Sequence, residues 1–528
     1  MIRRTCAYAL FFFVSVGVRG QGVNTAGRVG AREFDIERFG AVADTSRLST
    51  EGINAAVRAC FAAGGGKVVI PAGQFKSGTI TLMDNVELFF ERGAVLYGST
   101  DHRDYPRQRQ PKYRSQKDAG GWYALIYAEG AKNIGISGYG TIDGQGAGQV
   151  PRVAGVDENG PVGGKAVARG EAGHAGEAVD SVGRRAGKTP VIGDQDGRPR
   201  NILFISCRNV SVKDIFLRNS GVWNQHYLDC EDVVVDHIRV YNHSNRNNDG
   251  IDIDGCRRVI VSNSVLDSDD DCITLKSTGP AACEDVVISD CIASSFCNAI
   301  KCGTESTGGF RNIVISHCIV KPSACPTEPV FKTPRIGQTG LALEIVDGGI
   351  MEGVRVSDLV IEGTECPIYV RLGNRARRYI PEATEPGRGI MRNISISHVT
   401  AYNTGNFCSS ITGVPGAKIG DLSLDDIRLV NRGGLKPGEY TSDPAGVAER
   451  EKEYPDPTGW GNLPGYGFYI RHVEDIRLSG ITLRSLEKET RAPVLAEDVD
   501  HLFIEHLRAD APVEKQVRLI GVGEYRRD

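Results

Sequence analysis

One phrase recurs along the chain and limits what it can fold into: a short polar turn, then a β-rich strand in alternating register. It reads Arg208-Asn209-Val210-Ser211-Val212, Glu231-Asp232-Val233-Val234-Val235 and Arg257-Arg258-Val259-Ile260-Val261. It continues as Glu284-Asp285-Val286-Val287-Ile288 and Arg311-Asn312-Ile313-Val314-Ile315. The anchors at 210, 233, 259, 286 and 313 are 23, 26, 27 and 27 residues apart. Val354, Ile394, Leu422, Ile476 and Leu502 fit as later anchors, with loop insertions or double coils between them, and Val86 and Ile134 as earlier ones. Such a period marks supersecondary units that bury their apolar face only by stacking. The strands are short and rich in Val, Ile and Ser, no useful helix lies between them, and the leucine-rich-repeat signature is missing. An all-β parallel β-helix of about ten to twelve coils is therefore expected. Its coils would lie about 4.8 Å apart, so residues at equal phase line up on one face.

The flanking segments fit this plan. From Thr50, apolar residues at Ile53, Ala56, Val57, Cys60 and Phe61 follow helical spacing and stop at Gly64-Gly65-Gly66. That pattern predicts a short N-terminal helix capping the open end of the solenoid, an edge that otherwise invites aggregation. Residues 144–200 are rich in Gly, Ala and charges and lack the phrase, and 433–466 scatter Pro and Gly. Both read as insertions in a single domain spanning 21–528.

At the start, Arg3 and Arg4 precede an apolar stretch from Ala7 to Val18, and Val18-Arg19-Gly20 offers a small-residue cleavage site. Residues 1–20 are expected to be a secretory signal, giving a secreted or periplasmic protein. No later segment is long and apolar enough to span a membrane. Of the 14 cysteines, Cys6 lies in this leader, and no pair has metal-ligand spacing. Cys207, Cys230, Cys256, Cys283 and Cys318 sit beside strands at similar phase and read as small buried hydrophobes, with one or two disulfides left open. The formal net charge of −4, without a basic stripe, excludes nucleic acid as the main partner. A monomer is expected.

Carboxylates concentrate in one place. Asn247-Asn248-Asp249-Gly250 precedes Ile251-Asp252-Ile253-Asp254, and Asp267-Ser268-Asp269-Asp270-Asp271-Cys272 follows about one coil later. Asp249 and Asp270 would face the same side on adjacent coils. Acids that close repel when ionised, so at least one must hold its proton more tightly. A protonated acid beside an ionised base is what glycoside hydrolysis uses. Asp and Asn also serve in tight turns, and that reading is favoured for Asp252, Asp254, Asp267 and Asp269. An acid cluster could equally hold Ca²⁺.

Segment 219–303 resembles glycoside hydrolase family 28, the polygalacturonases and their relatives. The likeness lies in Asn219-Ser220, Trp223, His226, Asn248-Asp249-Gly250 and Asp270-Asp271-Cys272. The phrases Gly140-Thr141-Ile142-Asp143-Gly144, Phe39-Gly40-Ala41 and Pro71-Ala72-Gly73 also look family-like, so the resemblance covers roughly 33–430. It implies a right-handed, single-stranded β-helix, no cofactor and no metal, a pectin-like polysaccharide as substrate, and hydrolysis with inversion. By position it makes Asp270 the general acid, while Asp249 and Asp271 hold and activate water.

Two positions depart from the family pattern. Asn298 stands where a histidine is expected, and Ala342-Leu343-Glu344 where an Arg-x-Lys pair grips the galacturonate carboxylate. An acid there repels a uronate, which turns the expectation from plain homogalacturonan towards a branch or a rhamnose-containing stretch. The candidate substrate-binding residues are Trp223 and His226, Asn298 and Lys301, and Glu344 and Arg371; Lys276 is a further candidate cation. Chain-end action is favoured if the insertions wall off one end of a groove. A polysaccharide lyase and a non-catalytic carbohydrate-binding β-helix remain as alternatives.

Overall fold

The computed structural model describes residues 32–108, 122–149, 197–326 and 337–528. The expected leader lies outside them, as does most of the first insertion. Within them the chain winds as one parallel β-helix whose coils each contribute strands to three faces. The recurring phrase forms one face, and its anchors meet one another in register. Ile134 pairs with Val210, then Val233, Val259, Val286 and Ile313 follow. Val354, Ile394, Leu422, Ile476 and Leu502 continue the same row. Every anchor from Ile134 to Leu502 is buried.

The local reason is the residue before most of these anchors. Asn133, Asn209, Asp232, Arg258, Asp285, Asn312, Asn393 and Asp421 all take positive φ, between 47° and 57°. This left-handed bend turns the chain into the strand, and Asn and Asp accept it more readily than most residues. Some of these side chains also stack: Asn209 donates to Asn133 at 2.9 Å, and Asn133 to Asn85 at 2.7 Å. One position earlier, Arg208, Glu231, Arg257, Glu284, Arg311, Glu352 and Arg392 form a row of alternating charge up the outside of the helix.

A helix at Thr50–Ala62 covers the N-terminal end, burying Ile53, Ala56, Val57 and Cys60. Phe61, expected on its inner face, is 42% exposed. All thirteen cysteines among the described residues are free thiols, and none is disulfide-bonded. Cys207, Cys230, Cys256 and Cys283 stack inside the coil; Cys318 instead stands in another column, beside Cys291.

A second face carries the strands Arg200–Ile205, Gln225–Leu228, Ile251–Asp254, Ile273–Ser277, Asn298–Ser306, Thr339–Ile345 and Cys366–Leu372. Residues 432–464, the second expected insertion, enter at the corner leading into this face. No helix among the described residues is long and apolar enough to cross a membrane.

Candidate active site

The acidic motifs occupy the corner where successive coils turn into that second face. Gly250 N donates to Asp271 O at 2.9 Å, and Cys272 N to Asn298 O at 2.9 Å. With Ile251 opposite Ile273 and Ile273 opposite Ile300, Asp249, Asp271 and Asn298 follow one another on adjacent coils. The stacking partner of Asp249 is thus Asp271, and Asp270 flanks them. Glycine is needed at position 250, because a Cβ there would lie 2.4 Å from the Cys272 carbonyl oxygen.

Three carboxyls so placed cannot carry charge equally. Burial pushes the Asp270 pKa up to about 7, helped by the neighbouring Asp271 charge. Its Oδ1 accepts from Asp271 N at 2.9 Å and its Oδ2 from Asn247 Nδ2 at 3.3 Å. Burial also pushes Asp271 up, but Lys301, Lys276 and Asn298 outweigh it and bring that carboxyl below the usual range. The Lys301 ammonium stands 3.1 Å from Asp271 Oδ2, and Asn298 Nδ2 donates to Oδ1 at 2.6 Å. Asp249 is held well up by burial and by the charges of Asp252 and Asp270. One acid keeps its proton while its neighbour is ionised.

Asn298 is fixed from behind because Thr339 Oγ1 donates to its Oδ1. Lys301 touches Glu344 at 3.9 Å as well as Asp271. Glu344 itself is buried, which raises its pKa to about 7 against the pull of Lys301. Asp270, Asp271 and Cys297 place ligand atoms within 4.8 Å of one another and are the group here that could hold a cation; Lys301 already supplies a positive charge to Asp271.

The structure does not bring every candidate to the acids as an open contact. His226 is buried, its Nε2 3.1 Å from Asp254 Oδ2, and burial lowers its pKa to about 4, so the ring is neutral. Asp254 also accepts from the Thr278 backbone and hydroxyl, at 2.9 and 2.8 Å. Trp223 is 6% exposed, with its ring against His226 and the Lys276 ammonium 4.7 Å from its centre; it is a wall and not an open platform. Arg371 is spent on Thr412, Gly413 O, Glu449 O and Arg450 O, which ties down the second insertion.

That insertion delivers a residue the sequence did not signal. Tyr454 is a contact partner of both Lys301 Nζ at 3.3 Å and Thr304 Oγ1 at 3.0 Å, while the residue as a whole is 45% exposed. Asp252, read from sequence as a turn residue, lies instead in strand Ile251–Asp254 and is fully buried. The same correction applies to Asp254. Their signal was present: in Ile251-Asp252-Ile253-Asp254 the two acids share the face opposite the two core isoleucines. Asp267 and Asp269 hold His243, at 2.9 and 3.8 Å.

Residues 60–295 match the sequence profile of Glycosyl hydrolases family 28. The match takes in somewhat less than half of the chain. Among curated proteins, the chain is 26% identical over 255 residues to a probable polygalacturonase of Vitis vinifera, covering 47% of the chain and 45% of the relative. It is 26% identical over 264 residues to an exo-poly-alpha-D-galacturonosidase of Dickeya chrysanthemi, covering 46% and 41%. The chain thus spans less than half the length of these relatives. Two solved structures share its fold. A hyperthermoactive exopolygalacturonase from Thermotoga maritima aligns with TM-score 0.58 at 22% identity, over 76% of this chain and 88% of that one. A family 28 exopolygalacturonase from Yersinia enterocolitica aligns with TM-score 0.57 at 18% identity, over 94% and 78%.

Proposed function

We propose that this protein is an inverting glycoside hydrolase that cuts a pectin-type polysaccharide other than plain homogalacturonan. The observation that carries the reading is the split between a protonated Asp270 and an ionised Asp271 on the coil next to Asp249. Asp270 gives its proton to the departing glycosidic oxygen. Asp271 takes a proton from a water, held also by Asp249, that attacks the anomeric carbon from the opposite side, so the configuration inverts.

The cations beside these acids support a sugar without a carboxylate at the point of scission. Lys276 lies within 3.9 Å of Asp249, Asp252 and Glu305, and Lys301 within 3.9 Å of Asp271 and Glu344. Arg375 pairs with Asp347 and lies 3.9 Å from Glu305. A uronate would have to compete with protein carboxylates for each of them. The strap carrying Tyr454 favours chain-end action, since it stands over Lys301 and Thr304 beside the acids. The basic and apolar residues at the N-terminus support export.

A lyase reading has weaker support, because its base must be neutral. Burial opposes charge on Lys301, but Asp271 and Glu344 outweigh it and keep the ammonium protonated. The deciding experiment incubates purified protein with homogalacturonan, rhamnogalacturonan and branched pectin fragments, with products resolved by chromatography and their anomeric form followed by proton NMR. Release of an inverted neutral-sugar product from the second or third polymer is expected. Release from homogalacturonan alone would sink the neutral-sugar reading, and an unsaturated product would make the protein a lyase.

A further inference from the structure

The anchor face, on a different side of the solenoid from the acids, carries a column that the core does not use. One position after the anchors, Val234, Ile260, Val287 and Val314 follow one another in register on successive coils. Ile260, Val287 and Val314 are 45%, 37% and 39% exposed, and Val234 is half-buried. The run ends at Ser211 on one side and at Arg355 on the other. A single exposed aliphatic side chain is ordinary, but a contiguous column with polar ends has the make-up of an interface.

The charges beside the column decide what fits it. Two positions before the anchors, Arg208, Glu231, Arg257, Glu284, Arg311 and Glu352 alternate in sign from coil to coil. Turned end for end about a point midway between two coils, such a row matches itself, because every Arg then faces a Glu. The aliphatic run selects the midpoint, since it is symmetric about the gap between the coils of Val259 and Val286. A two-fold axis there, parallel to the strands, sets Ile260 against Val287 and Val234 against Val314 of a second copy. The same axis sets Arg257 against Glu284, Glu231 against Arg311, and Arg208 against Glu352. In the row between, Arg258 faces Asp285. Glu284 is the one member of the charged row without an ion pair to any other described residue, and the axis gives it one.

We propose that this face binds a second copy of the chain, forming a two-fold dimer whose solenoids run antiparallel. Six coils of six-residue strands present about 600 Å² on each copy, at the low end for a specific interface. The dimer is therefore weak, with a Kd on the order of 10 µM. It stands whether or not the acids cleave sugar.

Sedimentation velocity on the full chain tests this, from about 1 to about 200 µM protein in about 50 mM salt. Wild type should pass from monomer to dimer across that range. A monomer throughout would overturn the proposal and leave the column to another partner. Val287→Arg puts a charge into the apolar column twice per dimer and should weaken association more than about tenfold. Glu284→Arg sets like charges against each other and should also weaken it about tenfold, whereas Arg257→Glu combined with Glu284→Arg restores opposite signs and should return to within about threefold of wild type. Glu231 keeps Arg258 at 3.1 Å when Arg257 is changed, so the row is not left without a cation. A dimer indifferent to Val287→Arg would refute this face, and a double variant no better than Glu284→Arg would refute this axis. Should Val287→Arg fold poorly, the charge-reversal pair decides alone.

Discussion

Two charged columns climb this solenoid, and they obey opposite rules. On the anchor face, Arg208 through Arg392 alternate in sign, lie at the surface and pair with the coil above or below, as Glu352 does with Arg392 at 2.8 Å and Arg311 at 3.8 Å. On the site face, Asp249, Asp252, Asp270, Asp271 and Glu344 are buried together against Lys276 and Lys301. The first column gives each charge an opposite neighbour in water, where each pair is worth at most about 1 kcal/mol. The second sets like charges side by side without solvent, which costs stability and shifts proton affinities. Identical backbone supports both. The difference shows that the fold tolerates the second arrangement without needing it, as expected where charge serves chemistry.

Replacing the acid breaks the comparison most sharply. Asp270→Asn keeps the shape and should lower sugar release by about 10³-fold or more. Differential scanning should find its melting temperature at pH 8 equal to or above that of wild type, because a buried carboxyl has been removed. A variant that still turns over substrate would remove Asp270 from the reaction. Lys301→Met comes next. It takes the nearest cation from Asp271 and leaves burial to push that carboxyl up, so the acidic limb of the pH–rate profile should move to higher pH. The loss in kcat should be about 10- to 100-fold, and an unmoved limb would mean that Lys301 does not set the charge of Asp271.

How much of each column could be read in the sequence follows from the same contrast. The anchor column was legible to the residue, because its period, turn and strand are local and recur, and Ile134 to Leu502 pair as that phrase dictates. The three leading acids were legible as neighbours by coil arithmetic. Pairing Asp249 with Asp270 over 21 residues missed by one position, since the step here is the 22 residues that set Ile251 opposite Ile273. Asp252 was hidden by treating an acid-rich run as turn, when its alternation with two isoleucines marked it as strand. Tyr454 carried no signal at all: it reaches Lys301 across 153 residues by way of a loop, and no local pattern encodes that return. Arg371 failed for the converse reason, because a cation after a strand looks the same in sequence whether it meets a sugar or the carbonyls of its own chain.

The cost of the buried column should be visible as pH dependence of stability. Asp252, Asp270 and Glu344 have folded-state pKa values raised to about 7, above the ordinary carboxylate value of the unfolded chain. Groups raised in this way stabilise the fold fully below that ordinary value and lose the contribution as pH climbs through about 7. The melting temperature should therefore fall between pH 5 and pH 8, and Asp252→Asn should flatten the fall. A wild-type protein equally stable at both values would mean that these carboxyls are not buried together.

The smallest effect is expected on the other column, and its smallness is what sharpens the contrast. Glu352→Gln removes the acid shared by Arg311 and Arg392, all three being partly exposed. The change should cost no more than about 1 kcal/mol in low salt. In about 1 M salt, where the screening length is about 3 Å, the cost should vanish, and sugar release should not change at any ionic strength. Lys301→Met should keep its defect in the same salt, because water and ions do not reach a pair buried to that depth. If the two variants responded alike, the columns would differ only in position, and burial would not be what separates a charge that holds register from a charge that does chemistry.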